Sequence, residues 1–357
     1  MLEPLKTPLH AEHLALGAKM VEFAGWSMPV QYEGVIKESK AVRNGAGMFD
    51  VSHMGRTRHR GAHAASFLDR VTSNAVLKLE DGASQYSLLC YPHGGVVDDI
   101  IVYRIREDEF FVVINAVNRE KDLEWMAEQN DGSVAIEDET FDSAMIAVQG
   151  PSAVESVQRL ASAPVANVPR FHSTTCEVAG VSAFLGRTGY TGEDGFEIIV
   201  SADGASHVWR ALLGEGVVPC GLAARDVLRV EAGLPLYGHE LTDKINPIEA
   251  GLGWVCKKDR PFIGSEPIAK MRADGPPRKL MGIRMQSRIV PREGYKVLRD
   301  GQEIGVVSSG VFSPMLDCGI AFAFLRADAA AADQPCDVLI RDKTHPAIVV
   351  PKRFMQS

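Results

Sequence analysis

One stretch constrains this chain more than any other: Gly94-Gly-Val-Val-Asp-Asp-Ile-Ile-Val-Tyr103. Gly94-Gly95 reads as a tight turn, and the β-branched run behind it reads as a strand. Strand side chains alternate between faces, so Asp98 sides with Val96, Ile100 and Val102, and Asp99 with Val97, Ile101 and Tyr103. One aspartate can face water while the other faces inward. An ionised carboxylate taken out of water is costly unless it is paired. An inward Asp is therefore a candidate functional group, with a pKa raised by desolvation. The competing reading is a hairpin shoulder with both acids solvated.

A strand of this kind needs a core to sit in, and the chain is long enough to build one. Its 357 residues suggest two or three domains. With 46% hydrophobic and 24% charged residues it reads as a soluble globular protein. A net charge of −8 argues against nucleic-acid binding through a general basic field, but leaves room for an anionic ligand held by a few local cations. No apolar run is long enough for a membrane span. The start, Met1-Leu-Glu-Pro-Leu-Lys6, has neither a signal-peptide core nor an Arg-rich character. Cys90, Cys176, Cys220, Cys256, Cys318 and Cys336 are scattered, which suggests neither a zinc site nor a disulfide framework. A cytoplasmic location is expected, with no metal.

Along the chain, residues 1–33 read as irregular and then extended. Helical patterning follows over Gly34 to Asn44, Ala62 to Val71 and Arg119 to Gln129, then around Val154, Val157 and Ala161, and from Ala205 through Leu212. Strands are expected at Tyr86 to Tyr91, Val96 to Tyr103, Phe110 to Asn115, Met145 to Gln149, Val181 to Gly186 and Phe196 to Val200. Ala273-Asp-Gly-Pro-Pro-Arg278 reads as a linker. Beyond it come the short strands Leu280 to Met285, Tyr295 to Leu298, Ile304 to Ser308, Ile320 to Phe324 and Val338 to Ile340, with a type I′ turn at Asp300-Gly301. They point to a small all-β domain closed as a barrel or sandwich.

Few residues are placed to carry chemistry. Asp50, Ser52 and His53 invite a triad reading, but neighbours this close on an extended segment rarely form the required chain of hydrogen bonds, and a packing or capping role is expected. Glu197 lies inside the apolar strand Phe196-Glu-Ile-Ile-Val200. It suits either an Arg partner or a heterocycle that offers N–H and NH₂ side by side. Tyr190 lies in the glycine-rich loop Thr188-Gly-Tyr-Thr-Gly-Glu-Asp-Gly195, where backbone can approach a ligand closely. Arg225 and Arg229 share a helix face, so an anion should compensate them, either Asp226 with Glu231 or a ligand carboxylate. There is no nucleophile motif, metal-ligand spacing or Walker loop.

These motifs, in this order, resemble the glycine cleavage system T-protein family, the aminomethyltransferases, over nearly the whole chain. The matching stretches are Phe23-Ala-Gly-Trp-Ser-Met-Pro29, Gly47-Met-Phe-Asp-Val-Ser-His-Met54, Gly94 to Tyr103, Gln149-Gly-Pro151, Thr188 to Glu197, Gly221-Leu-Ala-Ala-Arg-Asp226, Arg229-Val-Glu-Ala-Gly233 and Ser309-Gly-Val-Phe-Ser-Pro314. The resemblance implies an α+β fold: a three-lobed cloverleaf of antiparallel-sheet domains, with tetrahydrofolate in a central channel and a small C-terminal β-barrel. Its divisions would be a discontinuous folate-binding domain over 1–52 and 141–272, an inserted α+β domain over 53–140 that carries the Asp98-Asp99 strand, and the barrel over 279–357.

The implied reaction takes an aminomethyl group from the lipoyl arm of the H-protein. It forms 5,10-methylenetetrahydrofolate, ammonia and dihydrolipoyl H-protein. By the resemblance Asp99 is the catalytic carboxylate and Glu197 reads the pterin's amino and N–H edge. Arg225, Tyr190, Met54, Tyr86, Tyr103 and Asn115 fall at folate-site positions, with Asp98 beside them. The chain departs from the family pattern in its tail, Arg353-Phe-Met-Gln-Ser357, in Leu316-Asp-Cys318, and at Leu234. The rival readings are a tetrahydrofolate-dependent demethylase of the same superfamily and a non-catalytic folate-binding protein.

Overall fold

The computed structural model describes residues 3–355. Among the described residues the strands form four sheets, and backbone contacts divide the chain into two units. Of the described residues, the first comprises 3–71, Ala75–Ser87 and Ile100–Arg225, and the second Thr72–Asn74, Leu88–Asp99 and 226–355.

In the first unit a six-stranded sheet runs in the order Ser173–Val178, Val181–Gly186, Gly195–Ser201, Ser143–Gln149, Gly47–Asp50 and Val218–Pro219. The middle strand, Ser143–Gln149, is antiparallel to both neighbours, with Ala147 opposite Glu197 on one side and Ile146 opposite Asp50 on the other. Strand alternation therefore puts Asp50 and Glu197 on opposite faces of this sheet. Ile146, Val148, Phe196, Ile198 and Met48 face one core. That core is closed by the helices Ala153–Leu160 and Ala205–Gly214, whose apolar stripes bury Val157, Val208, Trp209 and Leu212.

A five-stranded sheet orders Ser84–Cys90, Val96–Arg106, Glu109–Ile114, Gly55–Arg60 and Ala135–Asp138. Three short strands, Leu5–Lys6, Trp26–Gln31 and Lys19–Phe23, form another sheet; the latter two are the extended stretch expected from sequence, while Leu5–Lys6 and the helix His10–Ala15 give order where an irregular start is expected. Trp26–Gln31 binds both of the others, which the local pattern, interrupted by Pro29, does not advertise.

The second unit contains a closed barrel of Arg278–Met285, Cys318–Arg326, Gln302–Ser313, Lys296–Arg299, Pro335–Ile340 and Lys343–Val350. The sequence suggests the first five strands and misses the last. Asp300 and Gly301 both have positive φ, 52° and 76°, as a type I′ turn requires. The helix Ser265–Asp274 was also not foreseen; Gly275, at φ 82°, ends it in the expected linker.

Leu88–Asp99, the tip of the Asp98-Asp99 hairpin, belongs to this unit. Its turn is not centred on the two glycines. The Gly94 N–H donates to the Tyr91 carbonyl at 2.8 Å, so Pro92 and His93 form the turn's centre. Gly94 supplies a φ of 89°, and Gly95 allows a close approach: a Cβ there would meet the Asp243 carbonyl oxygen at 1.7 Å. The Val96 N–H then donates to the Thr242 carbonyl at 3.0 Å. These contacts fix the start of the strand that carries both aspartates.

Candidate active site

Strand pairing places Glu197 on an inner strand, between Ala147 and Gly186. A carboxylate there is enclosed, and Glu197 is 6% exposed. Burial pushes its pKa up, against the opposing pull of the Thr188 hydroxyl, the Arg225 charge and the Tyr103 hydroxyl. The Thr188 hydroxyl donates to Glu197 Oε2 at 2.6 Å and lies 2.5 Å from the Tyr103 hydroxyl. Tyr103 is fully buried, and burial followed by the Glu197 charge drives its phenol well up, so it is neutral. It can lie against the sheet because Gly186 has no side chain; a Cβ there would meet the Tyr103 hydroxyl at 2.4 Å.

The glycine-rich loop before Glu197 is held firmly, although its composition suggests mobility. Buried Gln149 donates to the Thr188 carbonyl at 3.0 Å and accepts from the Thr191 hydroxyl at 2.9 Å. Gly189 lets that amide pass, since a Cβ there would sit 1.9 Å from Gln149 Oε1. Arg187 grips Asp194 with two bonds, at 3.1 and 2.7 Å. Arg43 reaches the Thr191 carbonyl at 2.7 Å and Glu193 at 2.8 Å.

The loop thereby presents Tyr190, and the Arg225 guanidinium sits over its ring, 5.0 Å from the centroid. Burial lowers the Arg225 pKa, with Glu197 and Tyr190 pulling the other way. Its Nη1 is buried and has no hydrogen-bond partner among the described residues. A buried guanidinium N–H left unpaired costs free energy, and an acceptor on a ligand would offset that cost.

Arg229, four residues on, is buried in an ion pair with Glu240 at 2.9 Å, bonds Asp226 at 2.9 Å, and donates to Ser309 Oγ at 2.8 Å. Glu231, one of the carboxylates expected for this helix face, accepts from the Ser313 hydroxyl at 2.5 Å.

Met54 is half-buried in the turn that follows Asp50. That turn is clamped by Arg56, a residue the sequence reading did not single out. Arg56 is fully buried and donates to the carbonyls of Ser52 at 3.0 Å, Met54 at 2.6 Å and Ser143 at 3.0 Å, and also to Thr140. Burial brings its pKa down to about 10, which leaves it charged at neutral pH. Tyr86 is half-buried on Ser84–Cys90, and Asn115 is half-buried where Glu109–Ile114 passes into a short 3₁₀ turn.

Asp98 and Asp99 lie on Val96–Arg106 with opposite environments. Asp98 is fully buried, on the face of Val96, Ile100 and Val102. Asp99 is half-exposed, on the face of Val97, Ile101 and Tyr103. Burial alone would mark Asp98 as the unusual group; access from solvent marks Asp99.

The Asp50, Ser52 and His53 cluster is no triad. Asp50 accepts from the Thr7 hydroxyl at 2.6 Å, the Ser52 N–H at 2.9 Å and His13 Nε2 at 2.8 Å, and His13 Nδ1 lies 2.8 Å from the Tyr32 hydroxyl. The Ser52 hydroxyl accepts from the Met145 N–H at 3.0 Å. His53 is buried edge-on to Phe23, and burial, aided by Arg225 and Arg56, brings its pKa down to about 4.

Comparison with known proteins decides the family. Residues 9–260 match the GCVT N-terminal domain, and residues 278–356 match the glycine cleavage T-protein C-terminal barrel domain. The chain belongs to the glycine cleavage T-protein family. It is 46% identical over 356 residues to an aminomethyltransferase of Geobacillus kaustophilus, covering 98% of each chain. It is 47% identical over 371 residues to one of Symbiobacterium thermophilum, covering 100% of this chain and 99% of that one. The crystal structure of the glycine cleavage system aminomethyltransferase T from Bartonella henselae superposes with a TM-score of 0.93 at 33% identity, covering 98% of both chains. The activity is that of the T-protein family, aminomethyl transfer in glycine cleavage, as the motifs imply. The mixed helix-and-sheet fold with a C-terminal barrel is likewise as expected.

Proposed function

We propose that this chain takes the aminomethyl carbon from the lipoyl arm of an H-protein and passes it to tetrahydrofolate, giving 5,10-methylenetetrahydrofolate, ammonia and dihydrolipoyl H-protein. The observation that carries this reading is the meeting of Glu197, Arg225 and Tyr190 in one cluster, with a guanidinium N–H left unpaired. A pterin offers an amino and N–H edge to a carboxylate and a flat ring to an aromatic or guanidinium face. Met54 and Tyr103, within the matching motifs, and Tyr86 and Asn115, at positions that the resemblance gives to the folate site, are assigned to the same ligand.

Catalysis in this reading is positional and electrostatic. Asp99 holds the reacting nitrogens, takes or relays a proton as C–N bonds exchange, and as an anion stabilises a passing iminium cation. Its half-exposed setting leaves it open to a solute, unlike Asp98. No covalent bond to the protein is required. The test is the formation of methylenetetrahydrofolate from aminomethylated H-protein, run beside methyl donors. Product from the aminomethyl donor alone supports the reading. Turnover of methyl donors instead would move the chain to the demethylase branch.

A further inference from the structure

Between Tyr103 and Glu197 stands Thr188, which no family motif singles out as a ligand contact. The order of hydrogens across these three groups is fixed by their chemistry. The Thr188 hydroxyl donates to Glu197 Oε2 at 2.6 Å. The Thr188 oxygen is then left as an acceptor, and the Tyr103 hydroxyl at 2.5 Å fills it as donor. Tyr103 and Glu197 are thereby joined through one hydroxyl, and Glu197 is tethered through Oε2. Thr188 is itself buried and bonded. It is 8% exposed, and its carbonyl accepts from Gln149, which is fully buried. Gly186 leaves the space in which the phenol reaches it.

We propose that Thr188 is a positioning residue of this site. It orients the Glu197 carboxylate, with the Tyr103 hydroxyl held beside it, so that the carboxylate presents its remaining acceptor capacity to a ligand edge built of N–H donors. An edge that presents a carbonyl at the same place would meet the lone pairs of Glu197 and be rejected. This inference rests on the reading of Glu197 as the acceptor for tetrahydrofolate.

Three variants separate the possibilities: Thr188→Val, which keeps the shape and loses the hydroxyl, Thr188→Ser, which restores it, and Glu197→Gln. Carbon-13 NMR of glutamate-labelled, ligand-free protein follows the Glu197 titration, assigned by its loss in Glu197→Gln. Calorimetry follows tetrahydrofolate binding as a function of pH. Removing a donor from a carboxylate favours its protonated form, so Thr188→Val should titrate Glu197 at higher pH than the parent. The same variant should bind tetrahydrofolate about tenfold more weakly, the worth of a hydrogen bond to a charged group. Its affinity should also begin to fall at higher pH on acidification. Thr188→Ser should restore the midpoint and the affinity together. A Thr188→Val protein with the parent's Glu197 midpoint overturns the proposal, and so does a Thr188→Ser protein that behaves like Thr188→Val. If the midpoint shifts as expected but Glu197→Gln binds tetrahydrofolate as the parent does, the reading of Glu197 fails, and the inference falls with it.

Discussion

Asp50 and Glu197 flank the same strand, one opposite Ile146 and the other opposite Ala147, and face opposite sides of one sheet. Both are buried carboxylates. Asp50 is surrounded by donors. Burial pushes its pKa up, but the His13 ring and the Ser52 and Thr7 side chains outweigh it and bring the pKa down to about 2. Glu197 receives the Thr188 hydroxyl, with Tyr103 and the Arg225 charge helping, and burial still wins. The protein thus satisfies one buried acid and leaves the other with bonding capacity in hand. The first arrangement stabilises the fold. The second costs stability and is what a site that waits for a ligand requires.

The same contrast, between an enclosed acid and a reachable one, recurs along Val96–Arg106, where the largest effect is expected. Asp99→Asn should cut turnover roughly 10²–10⁴-fold, the worth of a positioned acid–base group, with folding unchanged. Asp98→Asn should show a clearly smaller catalytic loss and a larger loss of stability, because Asp98 is the buried one. Single-turnover formation of methylenetetrahydrofolate, with circular dichroism as a folding control, ranks the two. A crippled Asp98→Asn beside an active Asp99→Asn would reverse the assignment.

Next in size is the structural acid itself. Asp50→Ala strands His13, Thr7 and the Ser52 N–H and should cost about 3–5 kcal/mol of unfolding free energy, as for one side of a buried pair. Urea denaturation reads this directly, and a loss below about 1 kcal/mol, the scale of an exposed ion pair, would show that Asp50 is not the anchor described.

Acid should then separate the two carboxylates. A lowered folded-state pKa gives Asp50 a stabilising contribution that is present above its unfolded value near 3.8 and lost as pH falls through about 2. The contribution is about 2 kcal/mol. Glu197, whose pKa is raised, has the opposite sign: its contribution is present below the unfolded value and lost as pH rises through the folded one. Denaturation curves of the parent and of Asp50→Asn between pH 2 and 5 should therefore converge as pH falls. Curves that stay parallel would contradict the assignment of a low pKa to Asp50.

The smallest effect separates two arginines on one helix. Arg225→Lys keeps a charge but loses the planar fork over Tyr190, and should weaken tetrahydrofolate binding by about 1 kcal/mol with little change in melting temperature. Arg229→Lys breaks the forked contact with Asp226, Glu240 and Ser309 and should lower the melting temperature. Equal melting losses with no folate effect at position 225 would make both structural.

Much of this was legible in the sequence, where periodicity and glycine chemistry are local. The helix Arg119–Gln129 and the strand Val181–Gly186 fall where the residue patterns put them. The strand Gly55–Arg60 was not legible, because its alternation is of Arg with Thr and His rather than of apolar with polar. Arg58 and Arg60 find Glu109, Glu139 and Glu137 only in the folded sheet. Arg56 likewise looks like a surface cation until Ser52, Met54, Thr140 and Ser143 are brought around it. Glu197 stood out because a carboxylate in an apolar strand is conspicuous. Thr188, in the glycine-rich loop beside it, was not, since a threonine there draws no notice until its hydroxyl meets Tyr103 and Glu197. The partners of Asp50 were hidden for another reason: Thr7 and His13 are 43 and 37 residues away in the chain.

The claim that most needs testing is that Glu197 is kept partly unsatisfied for a ligand. Calorimetric titration of tetrahydrofolate into Glu197→Gln, with a melting curve taken on the same sample at neutral pH, tests it most directly. Gln fills the same space and removes a buried charge, so the melting temperature should hold or rise, while binding should weaken by about 2–5 kcal/mol, as for truncating one side of a buried charged contact. A folded Glu197→Gln protein with the parent's affinity, or one that loses stability as Asp50→Ala is expected to, would contradict the account.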